Sequence, residues 1–164
     1  MVTKATGKTA QDPVTPAQVL RRFRVVFNSV RTHFRDMEKK VSLGGAQVWA
    51  LSIIKANPGI GVGGIAQNMQ IHQSTASNLV KALQKRGFIE MAKAPEDRRS
   101  VCLKIRPEGI NLLKNVAGPF EGVLPVALSE LKESTLKRLD KDLGELIVLL
   151  HADESAEEIP LASI

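Results

Sequence analysis

Seven apolar residues near the start of the chain, Leu20, Phe23, Phe27, Val30, Phe34, Met37 and Val41, are separated alternately by three and four positions. That spacing is a heptad seam, and it predicts one long helix over residues 19–41 that lies against another helix along its length. Its other faces carry Arg21, Arg22, Arg24, Arg31, Arg35, Lys39 and Lys40. A second seam, Leu136, Leu139, Leu143, Leu146 and Leu150, widened by Ile147, predicts a helix over residues 133–151. The two seams stand at opposite ends of a 164-residue chain. A chain of this length holds one domain, or a small domain with an oligomerisation arm. The seams pair either with each other or with a second copy.

Between them the periodicity changes. "AQVWALSIIKAN" reads as a helix closed by "NPG". The following "GIGVGGIAQNMQI" contains Gly59, Gly61 and Gly64 in the pattern G-x-G-x-x-G. A dinucleotide-binding reading fails here. That motif requires a strand before it and an acidic residue about 20 positions on. A helix-like segment and Pro58 precede it, and no acid occurs from Lys39 through Ile89. A loop and a short helix over residues 65–69 are expected instead, then a tight turn and a helix over residues 72–87. On that helix Ser74, Ser77, Asn78, Lys81 and Lys85 share one face. Ala76, Leu79, Val80 and Leu83 share the other, which is core. A hairpin follows: a strand over 88–92, a charged loop with Pro95, and a strand in which Val101, Leu103 and Ile105 alternate with Ser100, Cys102 and Lys104. "RPEG" restarts helix, interrupted at Gly118-Pro119 and Pro125. The terminal "DESAEEIPLASI" reads as an acidic, frayed tail.

The net charge of +6 is unevenly spread. Residues 1–43 carry +6, residues 44–71 carry +1, residues 72–106 carry +5 and residues 107–164 carry −6. A solvated helix normally mixes Glu with Lys. An acid-free surface is shaped for a polyanion.

A short helix, a tight turn, a polar-faced helix and a basic-tipped hairpin make a winged helix-turn-helix. The fold expected is mainly α with a small β-hairpin wing, flanked by N- and C-terminal dimerisation helices. A helix fits the major groove of duplex DNA, where short hydroxyl and amide side chains reach base edges. Gln73, Ser74, Thr75, Ser77 and Asn78 lie near the helix N-terminus, the end that attracts phosphate. Lys81, Lys85 and Arg86 are placed for phosphate contacts, and Arg98 and Arg99 for a narrow minor groove.

In the helix "STASNLVKALQKRGFI" and the wing "DRRSVCLKIRPEG" the sequence resembles the MarR (multiple antibiotic resistance regulator) family of winged-helix transcription factors, over residues 20–150. Asp97, Arg99, Ser100 and Gly109 match the family's wing pattern; Arg106 stands where Thr is usual. The resemblance implies that Arg99 enters the minor groove and that Asp97 orients the wing arginines. It implies an obligate homodimer built on the first and last helices, here Leu20, Phe23, Phe27, Leu139, Leu143, Leu146, Ile147 and Leu150, which presents two reading helices to a near-palindromic operator in double-stranded DNA. It also implies a small aromatic or phenolic acid effector bound between the dimer helices and the DNA-binding lobe; by location Arg31, His33, Arg35 and Trp49 are candidates. Members that sense oxidants use a cysteine in the first helix. This chain's one cysteine is Cys102, on a wing strand.

The implied function is a ligand-released dimeric repressor. A non-specific chromosome-organising protein, a regulator without ligand control and a protein-interaction module are the competing readings. An enzyme is disfavoured: His33, His72 and His151 fall on separate elements, and no nucleophile, phosphate-loop or metal spacing survives. No cofactor is implied. No apolar run approaches the roughly 18 residues of a membrane span, and no signal-peptide core is present, so a cytoplasmic location is expected. The organisation expected is a disordered tail (1–16), one MarR-like domain (17–152) with the winged helix-turn-helix at about 44–106 and dimerisation helices at about 17–41 and 107–152, and an acidic tail (153–164).

Overall fold

The computed structural model describes residues 13–93 and 101–163. Its helices are α1 (Pro16–Val41), α2 (Gly45–Ala56), α3 (Val62–Met69), α4 (Gln73–Lys85), α5 (Pro107–Lys114), α6 (Val123–Ser129) and α7 (Glu133–Leu149). Two antiparallel strands, β1 (Ile89–Lys93) and β2 (Val101–Ile105), lie between α4 and α5. The fold is a winged helix-turn-helix.

The first helix begins three residues earlier than its seam suggests, inside the stretch expected to be a tail. The cause is local. Thr15 and Gln18 form a capping box: the Gln18 N–H donates to Thr15 Oγ1 at 3.3 Å, and the Thr15 N–H donates to Gln18 Oε1 at 2.7 Å. Pro16 at the first helical position needs no amide partner. The helix stops at Ser42, whose backbone is left-handed and whose N–H donates to the Glu38 carbonyl at 2.7 Å.

The core lies under α2. Val48, Ala50, Leu51 and Ile54 are fully buried and meet Ile65 of α3, Val80 and Leu83 of α4, and Leu103 of β2. The hairpin pairs Ile89 with Ile105 and Met91 with Leu103. Ile60, in the loop before α3, extends it: the Leu103 N–H donates to the Ile60 carbonyl at 2.9 Å, and the Gly59 N–H to the Leu103 carbonyl at 3.2 Å. The glycines of "GIGVGG" thus serve a turn. Gly59 has φ +88°, and Gly61 caps α3.

Two expectations change. Strand β2 does not alternate cleanly. Leu103 is buried, but Val101 at the outer end is 43% exposed and Cys102 is buried, its thiol 3.3 Å from the Ala92 carbonyl. The lobe covers both faces of the strand at Cys102–Leu103 and neither at Val101, so burial follows position along the strand rather than its pleat. The acidic tail is not frayed. Residues 154–158 and 161–163 form two short 3₁₀ turns that fold back on the lobe, with Pro160 buried between them. Asp153 caps the first turn by accepting from the Ser155 N–H at 3.0 Å; hydrogen bonding to Ser155, from the side chain and then the backbone, holds its carboxyl below the usual carboxylate range.

The α1 seam divides. Val30, Phe34 and Met37 turn inward and are buried against the lobe. Leu20 and Phe27 are 51% and 60% exposed, and Phe23 is half-buried. No residue of α7 is buried; Ile147 and Leu150 are 40% and 65% exposed, and Leu139, Leu143 and Leu146 half-buried. An intramolecular α1–α7 pair that closed both seams is therefore not what the fold contains.

Candidate nucleic-acid interface

Helices α3 and α4 are joined by Gln70, Ile71 and His72. Gln70 is left-handed (φ 54°), which turns the chain sharply. Ile71 is buried just before α4, and Ala76 is buried one turn in. A hydrophobic pair at these two positions fixes the angle at which a helix starts. The inner face, Ala76, Val80 and Leu83, then locks α4 to the core.

The outer face is left to solvent. Gln73, Ser74, Asn78, Lys81, Lys85 and Arg86 are exposed; Thr75 and Ser77 are half-buried at its margin. Among the described residues, no intramolecular side-chain hydrogen bond or ion pair engages Gln73, Ser74, Thr75, Ser77, Asn78, Lys81 or Lys85. His72 makes no side-chain cap to α4. The N–H groups of the first turn are thus unsatisfied by the helix itself, and they carry its positive dipole end. A surface with free amide and hydroxyl groups, free ammonium groups and an open helix N-terminus suits phosphate and base edges together.

Arg86 is differently placed. Its Nη1 donates to the Ser42 carbonyl at 2.8 Å, and its guanidinium lies 5.3 Å from the centre of the Phe88 ring. It ties the end of α4 to the end of α1, a role that its position in the sequence does not reveal. Asp97, Arg98 and Arg99, the expected wing contacts, lie outside the described residues. Beyond the wing, Arg106 makes no side-chain cap for α5; it lies 3.5 Å from Glu108. Gly109 has a steric reason: a methyl group there would meet the Phe88 carbonyl oxygen at 2.6 Å. Its missing side chain lets α5 close on the hairpin.

A cavity of about 710 Å³ opens between α1 and the start of α2. Arg31, Arg35 and Arg86 line it with Glu38, beside Phe34 and Leu79. The fold brings Arg31 and Arg35 together there and adds Arg86. It leaves out the other two candidates. His33 Nε2 is 2.9 Å from the Pro119 carbonyl, and Trp49 lies against the core. Helical spacing accounts for His33: Arg31 and Arg35, four apart, share one face of α1, whereas His33, two from each, faces the loop before α6.

The MarR family model matches residues 45–101, the stretch that holds α2, α3, α4 and the hairpin just described. Over that stretch, about a third of its length, the chain matches the MarR family. Members of that family are transcriptional regulators, not enzymes. The chain is 28% identical, over 75% of its length and 81% of the relative, to the HTH-type transcriptional regulator YdgG of Bacillus subtilis. It is 27% identical, over 61% of its length, to a transcriptional regulatory protein named for the hcr operon of Thauera aromatica, and spans 56% of that relative. Its fold matches the DNA complex of Staphylococcus aureus MepR with a TM-score of 0.55 at 18% identity, covering 85% of this chain and 99% of that one.

Proposed function

We propose that this chain is a sequence-specific DNA-binding transcriptional repressor that acts as a homodimer and is released by a small anionic effector. The acid-free outer face of α4, unpartnered among the described residues, carries the reading. In this reading Gln73, Ser74 and Asn78 read bases, Thr75 and Ser77 support them from the margin, and Lys81 and Lys85 hold phosphates. Arg99 enters the minor groove beside the wing, with Arg98, and Asp97 orients both.

Dimerisation supplies the second half of the readout. The exposed ends of the two seams, Leu20, Phe23 and Phe27 on α1 with Leu139, Leu143, Leu146 and Ile147 on α7 and Leu150 at its end, are the surfaces a second copy would cover. Burying each large apolar side chain contributes about 1.5–3 kcal/mol. Two reading helices then meet successive major grooves, about 34–36 Å apart, on a near-palindromic site. The effector would be an aromatic or phenolic acid: Arg31 and Arg35 face a carboxylate and Phe34 offers an apolar wall.

The test is an electrophoretic mobility shift on duplex from the region upstream of the chain's own gene, against a scrambled duplex. Specific retardation is expected, with affinity falling at least tenfold between about 50 and 200 mM salt as counterions are released. Equal affinity for the scrambled duplex would turn the reading toward chromosome organisation. Affinity indifferent to salt would overturn DNA binding by this face.

A further inference from the structure

The C-terminal segment has two ends that do different things. At one end Leu161, Ala162 and Ser163 sit against α1 and α2 and help line the large cavity. The seat is made by a missing side chain: a methyl group at Gly45 would lie 2.5 Å from Phe34 Cδ1 and 3.2 Å from Ala162 Cβ. Buried Pro160 fixes the segment beside it.

The other end is acidic. Residues 152–163 contain Asp153, Glu154, Glu157 and Glu158 and no Lys or Arg. Glu158 Oε2 accepts from His72 Nδ1 at 2.7 Å, a bond that the Nδ1–H tautomer makes whether or not the ring is charged. Glu157 and Glu158 line a second cavity, of about 630 Å³, with Gln67, Gln70, His72 and Gln73. This is the N-terminal end of α4, where the first-turn N–H groups are open. Two carboxylates therefore border the end of α4 that, in the DNA-binding reading, would hold a phosphate.

We propose that residues 153–163 are an intramolecular competitor of DNA at the N-terminal end of α4. The anchor at Pro160 and Ala162 keeps Glu157 and Glu158 at high effective concentration, and a duplex must displace them before His72, Gln67 and Gln73 can meet its backbone. The contact sets a threshold: weak polyanions are turned away, and a duplex with enough further contacts lifts the carboxylates off. The inference rests on the DNA-binding reading of α4.

Labelled duplex from the upstream region of the chain's own gene, and a scrambled duplex, are titrated with three full-length proteins at equal salt. These are the unaltered chain, the Glu157→Gln/Glu158→Gln variant and a Glu121→Gln/Glu130→Gln variant that removes the same charge elsewhere. The first double variant is expected to bind both duplexes about three- to tenfold more tightly, in keeping with one or two exposed charged contacts released, and the second to change by less than about twofold. Equal shifts in the two variants, or none in the first, would overturn the proposal. Retardation by none of the proteins would instead sink the DNA-binding reading, and the competitor with it. A second readout is structural: duplex should accelerate cleavage by a glutamate-specific protease after Glu157 and Glu158. Unchanged cleavage under saturating duplex would also refute displacement.

Discussion

Helix α2 buries seven of its twelve residues; α7 buries none of its seventeen. Both are amphipathic and apolar enough to want cover, yet only α2 finds it within the chain. The winged helix-turn-helix lobe closes its own core from α2, α3, α4 and the hairpin. The outer half of α1 and all of α7 leave Leu20, Phe27, Ile147 and Leu150 in solvent. The lesson is a division of labour. Stability of the lobe is a property of one chain, whereas in the proposed dimer the spacing of two reading surfaces would come from a partner.

Substitutions at four positions would break or sharpen that contrast. The largest effect belongs to the lobe. Leu51→Ala removes a fully buried side chain from the centre of the core and should cost about 2–5 kcal/mol, read as a fall in denaturation midpoint. A loss below about 1 kcal/mol would show that the lobe is not closed without a partner. Next comes the arm. Phe27→Ala should leave the lobe's near-UV signal intact while weakening self-association by roughly ten- to a hundredfold, since the two rings, each already partly covered, together lose about 1.5–3 kcal/mol of burial. Sedimentation at several concentrations decides it, and an unchanged weight-average mass would remove Phe27 from the interface.

Arg86→Ala should be smaller, about 1 kcal/mol of stability from the lost hydrogen bond to Ser42 and the contact with Phe88. Arg86→Lys should recover only part of it, because one ammonium cannot keep both. Full recovery would mean that charge alone matters. The mildest change is Lys85→Ala, with unaltered melting and a salt-dependence slope for duplex binding lowered by about one phosphate's worth. A fall in melting temperature instead would place Lys85 among the structural residues.

The helices and hairpin were legible because their signals are periodic. The seams gave α1 and α7 to within a few residues, and the polar face of α4 stood out because acids are missing. The helix before Gly59, and the loop and short helix that follow it, were equally legible. What could not be read depended on contacts between distant segments. Nothing in "EIPLASI" shows that Ala162 will settle over Gly45, since the fit is made by an absence on another helix. Arg86 and Lys85 look alike as neighbouring cations at a helix end, but only the former reaches Ser42, 44 positions away. His33 was separable in principle: two positions from Arg31 and from Arg35, it points to nearly the opposite side of α1, toward the Pro119 carbonyl and away from the cavity. Val101 and Cys102 exchanged the burial expected of them because β2 runs out of lobe before it runs out of strand.

The bond from Arg86 to the Ser42 carbonyl is also a pivot. It joins the point where α1 ends to the point where α4 ends. Thirteen residues of α4 make a rod roughly 20 Å long. With one end pinned by that guanidinium, a tilt of about 10° imposed through α1 swings the opposite end, at Gln73, through about 3 Å, the full reach of a hydrogen bond. A rearrangement of about 10° at the seam, carried by the lobe as one body, would thus be enough in the proposed complex to lift the reading end off its bases while leaving the fold of the lobe untouched.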